Sequence, residues 1–167
     1  VLVGGVGNDT YIVDTTTDTI TEAASSGTDT VQSSVSYSVA ALAEIENVTL
    51  TGTAAANATG NDKTNVLTGN AAANALSGGV GNDTLVGGLG NDIYTVDSLG
   101  DVVTEAAAAG TDTLRTDLDT YSLAPWANVE NLTYTGAGDF TGTGNAAANW
   151  LTGGAGNDTL NGGAGVD

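Results

Sequence analysis

Histidine and cysteine are absent from the 167 residues of the chain, and Lys63 and Arg115 are its two basic side chains. Without His or Cys, the sequence excludes Ser-His and Cys-His nucleophiles, imidazole general bases and zinc or haem ligation by those side chains. Nucleic acid and anionic membrane surfaces are poor partners, because both are bound through Lys and Arg. No apolar run of about 18 residues is present, so the sequence predicts no membrane insertion.

Large side chains and proline are also scarce, with one Phe, two Trp, five Tyr, no Met and one Pro against 25 Gly. Small residues bury little area, so a conventional hydrophobic core is hard to assemble from this composition. The 20 acidic residues give a formal charge of −18, which makes cations the expected partners. Only oxygen ligands are available to hold a metal ion.

A nine-residue repeat argues against the disorder that this composition would otherwise allow. Full or near-full copies are GGVGNDTYI at Gly4, GGVGNDTLV at Gly78, GGLGNDIYT at Gly87, GGAGNDTLN at Gly153 and GGAGVD at Gly162. Looser copies at Gly60, Gly69 and Gly144 carry Asn65, Asn74 and Asn149 where the full copies carry Asp.

A second, much longer repeat contains the first and divides the chain into two halves. Tyr11 in the first half corresponds to Tyr94 in the second, and YSVAALAEIENVTLTG matches YSLAPWANVENLTYTG. Internal repetition this dense is typical of solenoids. The sequence therefore predicts one continuous solenoid of two units, about 4–86 and 87–167, as a fragment or one period of a longer array.

Each nonapeptide combines a turn with a short strand. In GGVGNDTLV the first six residues are turn formers, and Leu85 points inward between two residues that point outward. Two nonapeptides make a coil of eighteen residues, and successive coils stack as parallel strands. We therefore predict an all-β fold, a parallel β-roll or β-solenoid with Gly-Asp-rich turns, in which Asn residues of the looser copies stack as an amide ladder.

Stacking of the coils brings the Asp side chains and backbone carbonyls of turns eighteen residues apart into one cage of oxygens. Carboxylates that close repel one another unless a cation lies between them. Six or so flexible oxygen ligands describe Ca²⁺ better than Mg²⁺. The sequence therefore predicts calcium sites in the turns.

The nonapeptides resemble the hemolysin-type calcium-binding repeat, the RTX motif G-G-x-G-x-D-x-U-x. The resemblance implies a parallel β-roll that binds Ca²⁺ between turns through the motif Asp and backbone carbonyls, in proteins exported by type I secretion. Carried over to this sequence, the implied metal ligands are Asp9, Asp83, Asp92, Asp158 and Asp167 together with the motif glycines Gly4, Gly7, Gly78, Gly81, Gly87, Gly90, Gly153, Gly156 and Gly162.

Departures from the motif distinguish the sites. The pairs Asn65/Asp83, Asn74/Asp92 and Asn149/Asp167 each supply one carboxylate, so we expect weak or empty sites there. Asp83 also has Asp101 eighteen residues later, in a turn that adds Asp97, and this position is expected to bind more tightly.

Other polar and aromatic residues leave the choice between site and scaffold open or favour scaffold. A ligand role and a solvated turn position are about equally favoured for six acids: Asp14, Asp18, Asp29, Asp97, Asp101 and Asp112. A structural role is favoured for Glu22, Glu46, Glu105 and Glu130, because duplication alone explains their recurrence. Trp126 and Trp150 are expected to cover the apolar interior.

The leading functional interpretation is a non-enzymatic, calcium-stiffened structural module of an adhesin stalk, surface layer or filament, located outside the cell or on a bacterial surface. The alternative is an accessory C-terminal module of a secreted protease, lipase or polysaccharide epimerase. The expected partners are calcium ions and further copies of the repeat, either covalent in tandem or self-associated head to tail. No catalytic residues are predicted.

Overall fold

The computed structural model describes residues 1–24 and 27–167, and within them the chain forms eighteen short strands. The strands are β1 Leu2–Val3, β2 Thr10–Val13, β3 Ile20–Thr21, β4 Thr30–Ser33, β5 Tyr37–Ser38, β6 Asn47–Leu50, β7 Ala58–Thr59, β8 Val66–Thr68, β9 Ala75–Ser77, β10 Thr84–Val86, β11 Ile93–Val96, β12 Val102–Thr104, β13 Thr113–Thr116, β14 Thr120–Ser122, β15 Asn131–Tyr134, β16 Thr141–Thr143, β17 Trp150–Thr152 and β18 Thr159–Asn161. The described residues contain no helix, and so none that could span a bilayer.

Consecutive strands alternate between two faces of a roll. The even-numbered strands β2 to β12 form a six-stranded sheet, and the odd-numbered strands β5 to β17 form a seven-stranded sheet. β1 and β3 pair with each other, and β14, β16 and β18 form a sheet of three. Every strand pairing is parallel, which confirms the predicted all-β solenoid with two strands in each turn.

Turn length is eighteen residues where nonapeptides follow one another and varies where spacers intervene. Thr84 pairs with Val66 at the predicted spacing of eighteen residues. Thr10 instead pairs with Thr30, twenty residues later, and Ile93 pairs with Thr113, also at twenty. The spacers thus add residues to a turn without interrupting the stack, because the extra residues lie between strands and not within them.

The core consists of one inward side chain, or two, from each strand, stacked on the equivalents above and below. On the even face the stack runs through Tyr11, Val31, Val48, Leu67, Leu85 and Val103. On the odd face it runs through Ala58, Leu76, Tyr94, Leu114 and Leu132. The inward position predicted for Leu85 is confirmed, since its side chain is fully buried.

The two tryptophans differ from each other in burial. Trp126 packs against the core and its indole N–H donates to the Tyr121 hydroxyl at 3.3 Å. Trp150 begins β17 with its side chain on the outer face, 74% exposed. The prediction that Trp150 covers the apolar interior is therefore wrong, because Leu151 and not Trp150 takes the inward position in register with Leu132.

Candidate metal centres in the turns

The residues immediately before the even-numbered strands β2 to β12 and the odd-numbered strands β9 to β17 form two columns along the roll. We call Asp9, Asp29, Glu46, Asn65, Asp83 and Asp101, which precede β2 to β12, the even column. We call Asn74, Asp92, Asp112, Glu130, Asn149 and Asp167 the odd column; the first five of these precede β9 to β17. All members except the three Asn are carboxylates, so the parallel stacking of strands concentrates negative charge along two lines.

Adjacent members of a column are joined by hydrogen bonds between a carboxylate and a backbone amide. The Asp9 N–H donates to Oδ1 of Asp29 at 2.7 Å, and the Asp29 N–H donates to Oε2 of Glu46 at 2.8 Å. The same arrangement recurs in the odd column, from Asp92 to Asp112 at 2.7 Å and from Asp112 to Glu130 at 2.8 Å. One oxygen of each accepting carboxylate is thus used to hold the preceding turn in register.

The other carboxylate oxygen is unpartnered at four positions. Oδ2 of Asp9, Asp29, Asp83 and Asp92 is buried and has no hydrogen-bond partner among the described residues. Buried charged oxygens normally carry partners, because an unsatisfied one costs several kcal/mol of solvation. Four such oxygens on two columns are the pattern expected of ligands for cations, and oxygen donors of this kind suit Ca²⁺.

Burial raises the pKa of Asp83 and of Asp112 in the metal-free chain. Desolvation raises the pKa of Asp83 to about 6, and the negative charge of Asp101 adds to this shift. The hydrogen bond that Asp83 accepts from the backbone N–H of Asn65 opposes it. Desolvation likewise raises the pKa of Asp112 to about 6, and Glu105 and Glu130 add to it. The surroundings of Asp83 and Asp112 therefore disfavour the charged form of each carboxylate.

Two groups of three carboxylates lie close enough to share one ion. Asp9, Glu22 and Asp29 form the first, and each offers an oxygen within 4.8 Å of the others. Two unit charges at that separation repel by ~3 kcal/mol at an effective dielectric constant of about 20. Asp92, Glu105 and Asp112 form the second group, at the equivalent positions of the second unit.

The first glycine of the nonapeptide leaves room for the Asp side chain of the same repeat. An added Cβ at Gly78 would lie within 2.5 Å of Cβ of Asp83, and one at Gly153 would lie within 2.7 Å of Cβ of Asp158. Both distances are shorter than any side chain tolerates. The Asp therefore folds back over the glycine five residues earlier, which is why the motif begins with Gly.

The looser copy at Gly60 places Asn65 where the full copies place Asp and Asn61 where they place the second glycine, and both side-chain amides bond to backbone. The Asn61 amide donates to the carbonyls of Leu42 and Ile45, each at 2.8 Å. The Asn65 amide donates to the carbonyls of Ile45 and Glu46 at 3.1 and 3.2 Å. One NH₂ group thus bridges two carbonyl oxygens of the preceding turn.

The second unit repeats this Asn arrangement. Asn145 donates to the carbonyls of Trp126 and Val129 at 2.7 and 2.8 Å, and Asn149 donates to the carbonyl of Glu130 at 3.0 Å. These contacts correct the predicted amide ladder. Successive looser copies such as Asn65 and Asn74 lie on opposite edges of the roll, so their amides bond to carbonyls of the preceding turn and do not stack on one another.

The remaining predicted ligands lie in the columns or beside them. The Asp83 carboxylate accepts a hydrogen bond from the backbone N–H of Asn65 at 2.7 Å. The backbone N–H of Asp83 donates to Oδ1 of Asp101 at 2.9 Å. Oδ2 of Asp101 accepts the N–H groups of Asp97 and Ser98, which leaves Oδ2 of Asp83 as the free oxygen of that position. The exposed Asp97 borders this position through its backbone.

Asp158 and Asp167 each accept one backbone amide from the turn before. The Phe140 N–H donates to Asp158 at 3.0 Å, and the Asn149 N–H donates to Asp167 at 2.9 Å. No further acidic residue joins either of them in a three-carboxylate group within the described residues. Phe140 takes the position of an acid before β16 and stacks on Tyr134 with ring centroids 4.6 Å apart.

The motif glycines contribute carbonyls to the space between turns. The carbonyls of Gly78, Gly87 and Gly162 lie so close to the glycines of the preceding turn that no Cβ fits there. Those of Gly7 and Gly90 approach Gly27 and Gly110 in the same way. Their role as calcium ligands stays a prediction, as does that of the motif glycines at Gly4, Gly81, Gly153 and Gly156.

The spacer carboxylates contribute more to the site than the sequence predicts. The sequence favours a structural role for Glu22 and Glu105, yet each lies in a three-carboxylate group with a motif Asp. It leaves Asp29 and Asp112 open between ligand and solvated turn, and both are buried. The signal in the sequence is the recurrence of Tyr, Glu and Asp at 11, 22 and 29 as 94, 105 and 112.

One known repeat family matches two stretches of the chain. The family described as the RTX calcium-binding nonapeptide repeat (4 copies) matches residues 59–94 and 134–167. The matched stretches include Asp83, Asp92, Asp158 and Asp167, whereas the copy at Gly4 and the spacers lie outside them. No curated protein matches the chain.

Proposed function

Because the chain carries RTX calcium-binding nonapeptide repeats, we propose that it is a calcium-dependent structural module that acts outside the cell. The observation that carries this proposal is the set of four buried carboxylate oxygens without partners, at Asp9, Asp29, Asp83 and Asp92. A chain with 20 acidic and two basic residues has too few basic side chains to neutralise its carboxylates.

Calcium binding at these positions would contribute directly to folding. The carboxylates are brought together by stacking of the turns, so the site is complete only in the folded chain, and the free energy of binding becomes free energy of folding. Without metal, the columns repel along their length and oppose compaction. Calcium therefore acts as part of the core in a protein with few large apolar side chains.

An extracellular location follows from the same dependence. Calcium is abundant outside cells, where modules with dissociation constants of about 10⁻⁴–10⁻³ M are saturated. Such a module would stay unfolded inside the cell and fold after export. The proposed role is mechanical and not catalytic.

Stacking of turns also suggests how the module extends. Each turn adds to the previous one through parallel strands in a repeated register, so further copies, in tandem or self-associated, would continue the roll. Sedimentation of the purified chain at rising concentration, with calcium and with chelator, tests self-association. If the chain stays monomeric both with calcium and with chelator, the roll does not extend by self-association, and covalent tandem copies are the proposed means of extension.

The experiment that tests the function is far-UV circular dichroism with thermal melting in excess EDTA, in millimolar Ca²⁺ and in millimolar Mg²⁺. We expect a β-rich spectrum and a cooperative melt in Ca²⁺, and loss of both in EDTA. Mg²⁺ should support the fold poorly, because it retains its waters. Identical spectra and melting temperatures in EDTA and Ca²⁺ would refute the proposal.

A further inference from the structure

We propose that Glu22 and Glu105, which lie in the spacers and not in the nonapeptides, complete two calcium sites with Asp9 and Asp29 and with Asp92 and Asp112. The proposal rests on the calcium function above and assigns ligands that the repeat motif does not contain. It predicts that each of these two sites holds three carboxylates, more than the other turns, and that the spacers bind calcium as well as connect nonapeptides.

Convergence of carboxylate oxygens carries the proposal, and those of Asp9, Asp29 and Asp92 each include a buried one without a hydrogen-bond partner in the described part of the chain. Asp29 is fully buried and Asp92 is 1% exposed, and Oδ2 of each has no hydrogen-bond partner among the described residues. An added Cβ at Gly4 would lie within 2.6 Å of Oδ2 of Asp9 and closer still to Oε2 of Glu22. Oxygens from a nonapeptide and from a spacer therefore face the same small space, which only a glycine leaves open.

The second unit has the same geometry. An added Cβ at Gly87 would lie within 2.6 Å of Oε2 of Glu105 and nearer to Oδ2 of Asp92. Asp112 completes the group and hydrogen-bonds through Oδ1 to the Asp92 amide at 2.7 Å. Two copies of one arrangement, one in each unit, thus place the same three carboxylates around the same glycine.

A tyrosine positions each glutamate. The Tyr11 hydroxyl donates to Oε2 of Glu22, while Oε1 accepts the N–H groups of Gly5 at 3.1 Å and Ala23 at 2.7 Å. Tyr94 donates to Oε2 of Glu105 in the same way. Fixing the carboxylate in this manner lowers the entropic cost of binding an ion.

Tyrosine and glutamate occur together along the chain. Tyr11 and Tyr94 take the inward position after the motif Asp, and each is followed by Glu eleven residues later. The copy at Gly78 has Leu85 in that inward position and Val96 eleven residues later. Burying a tyrosine is unfavourable unless its hydroxyl finds a hydrogen-bond acceptor. Glu22 and Glu105 supply that acceptor, which explains why tyrosine is tolerated at positions 11 and 94.

Charge distinguishes these sites from the position around Asp83. The acidic neighbour of Asp83 in the next turn is Asp101, and both of its carboxylate oxygens accept backbone N–H groups. Three carboxylates attract a cation more strongly than two. We therefore expect Tb³⁺, an oxygen-seeking substitute for Ca²⁺, to bind at the Glu22 and Glu105 sites first. Tb³⁺ bound there lies beside a tyrosine ring, so its luminescence reports occupancy when it is excited through tyrosine.

The test compares E22Q/E105Q with a charge-matched control, E44Q/D62N, which alters two acidic residues outside both groups. Equilibrium dialysis counts bound Ca²⁺, and tyrosine-excited Tb³⁺ luminescence reports the two sites. We expect E22Q/E105Q to lose two equivalents of Ca²⁺ and most of the sensitised emission, and the control to keep both. In Y11F/Y94F the Ca²⁺ count should stay unchanged while its half-saturation concentration rises severalfold.

If the double variant fails to fold in saturating Ca²⁺, the single variants E22Q and E105Q replace it in the test. Each single variant should lose one equivalent of bound Ca²⁺. If neither the double nor the single variants change the Ca²⁺ count or the emission, the glutamates are not ligands and the inference is wrong, while the calcium function stands. A wild-type chain that binds no Ca²⁺ would instead overturn the proposed function itself.

Discussion

The carboxylate of Asp83 accepts a 2.7 Å hydrogen bond from the backbone N–H of Asn65, eighteen residues earlier. The same contact recurs between Asp92 and Asn74 at 2.8 Å. Each turn is thereby held by an acid of the next turn, through one carboxylate oxygen, while the second oxygen stays available. Register and metal binding are thus properties of a single side chain.

Asn65→Asp should convert a metal-free turn into one that needs calcium. The change removes an amide that donates to the carbonyls of Ile45 and Glu46 and adds a carboxylate below Asp83. We expect the metal-free fold to lose roughly 1–3 kcal/mol, because two hydrogen bonds from the buried Asn65 side chain are lost. Calcium binding should gain one equivalent. Denaturant unfolding in EDTA and calorimetric titration with Ca²⁺ measure the two effects.

Asn149→Asp is the matched variant in the second unit, where the amide donates to the carbonyl of Glu130. It should behave in the same way. An unchanged calcium count in both variants would mean that a carboxylate at this position does not create a site.

Asp83→Ala should reduce bound calcium more than Asn74→Ala. Asp83 carries an unpartnered buried oxygen, whereas the Asn74 amide is occupied by the carbonyl of Ala56 at 2.7 Å. We expect Asn74→Ala to lower stability without changing the number of bound ions. Calorimetric stoichiometry separates the two effects, and equal losses of calcium would contradict the assignment.

Gly78→Ala should damage the Asp83 position specifically. An added methyl group would collide with the Asp83 side chain, so the carboxylate must move away from its position. The control is Gly138→Ala, where the nearest atoms to an added Cβ are 3.5 Å away and the backbone needs no positive φ. We expect calcium loss and a lower melting temperature for the first variant alone, and equal behaviour would contradict this explanation of the motif glycine.

Acidification should stabilise the metal-free chain. The pKa of Asp83 and of Asp112 is about 6 in the folded state, above the value of about 4 for an exposed Asp, so the folded chain binds protons more tightly. This contribution is fully present below about pH 4 and is lost as the pH rises through 6. The melting temperature of the metal-free chain should therefore be higher at pH 5 than at pH 7.5.

With saturating calcium the sign should reverse, because protons compete with the ion for the same carboxylates. Melting curves at both pH values, with and without calcium, measure the two trends. A metal-free chain that is less stable at pH 5 than at pH 7.5 would contradict the burial of these acids.

The fold is predictable from the sequence because its information is local and repeated. The nonapeptide contains both its turn and its inward residue, as Leu85 shows, so copying it predicts the whole roll. The length of the turns that contain spacers is not predictable from the sequence. No motif marks Thr30 as the residue that pairs with Thr10, so the contact between Asp9 and Asp29 is seen only in the structure.

The candidate site is predictable only in part, for a related reason. The motif Asp residues follow from the repeat, but Glu22 reaches Asp9 from a different strand connection in the folded chain, and no spacing rule links them. That the Asn side chains weaken metal binding stays a prediction. The carbonyl groups that accept from the Asn side chains belong to the preceding turn, sixteen to twenty residues away. These contacts depend on how the turns stack, and no local sequence pattern predicts them.

The most direct test of the account is a crystal structure of the chain grown in calcium, with ions located by anomalous scattering. We predict calcium peaks within about 2.3–2.6 Å of Oδ2 of Asp9, Asp29, Asp83 and Asp92, the range of calcium–oxygen bonds, and no peak between the Asn61 and Asn65 amides and the carbonyls they bond. Peaks confined to the Asn turns, or none beside the buried carboxylates, would contradict it.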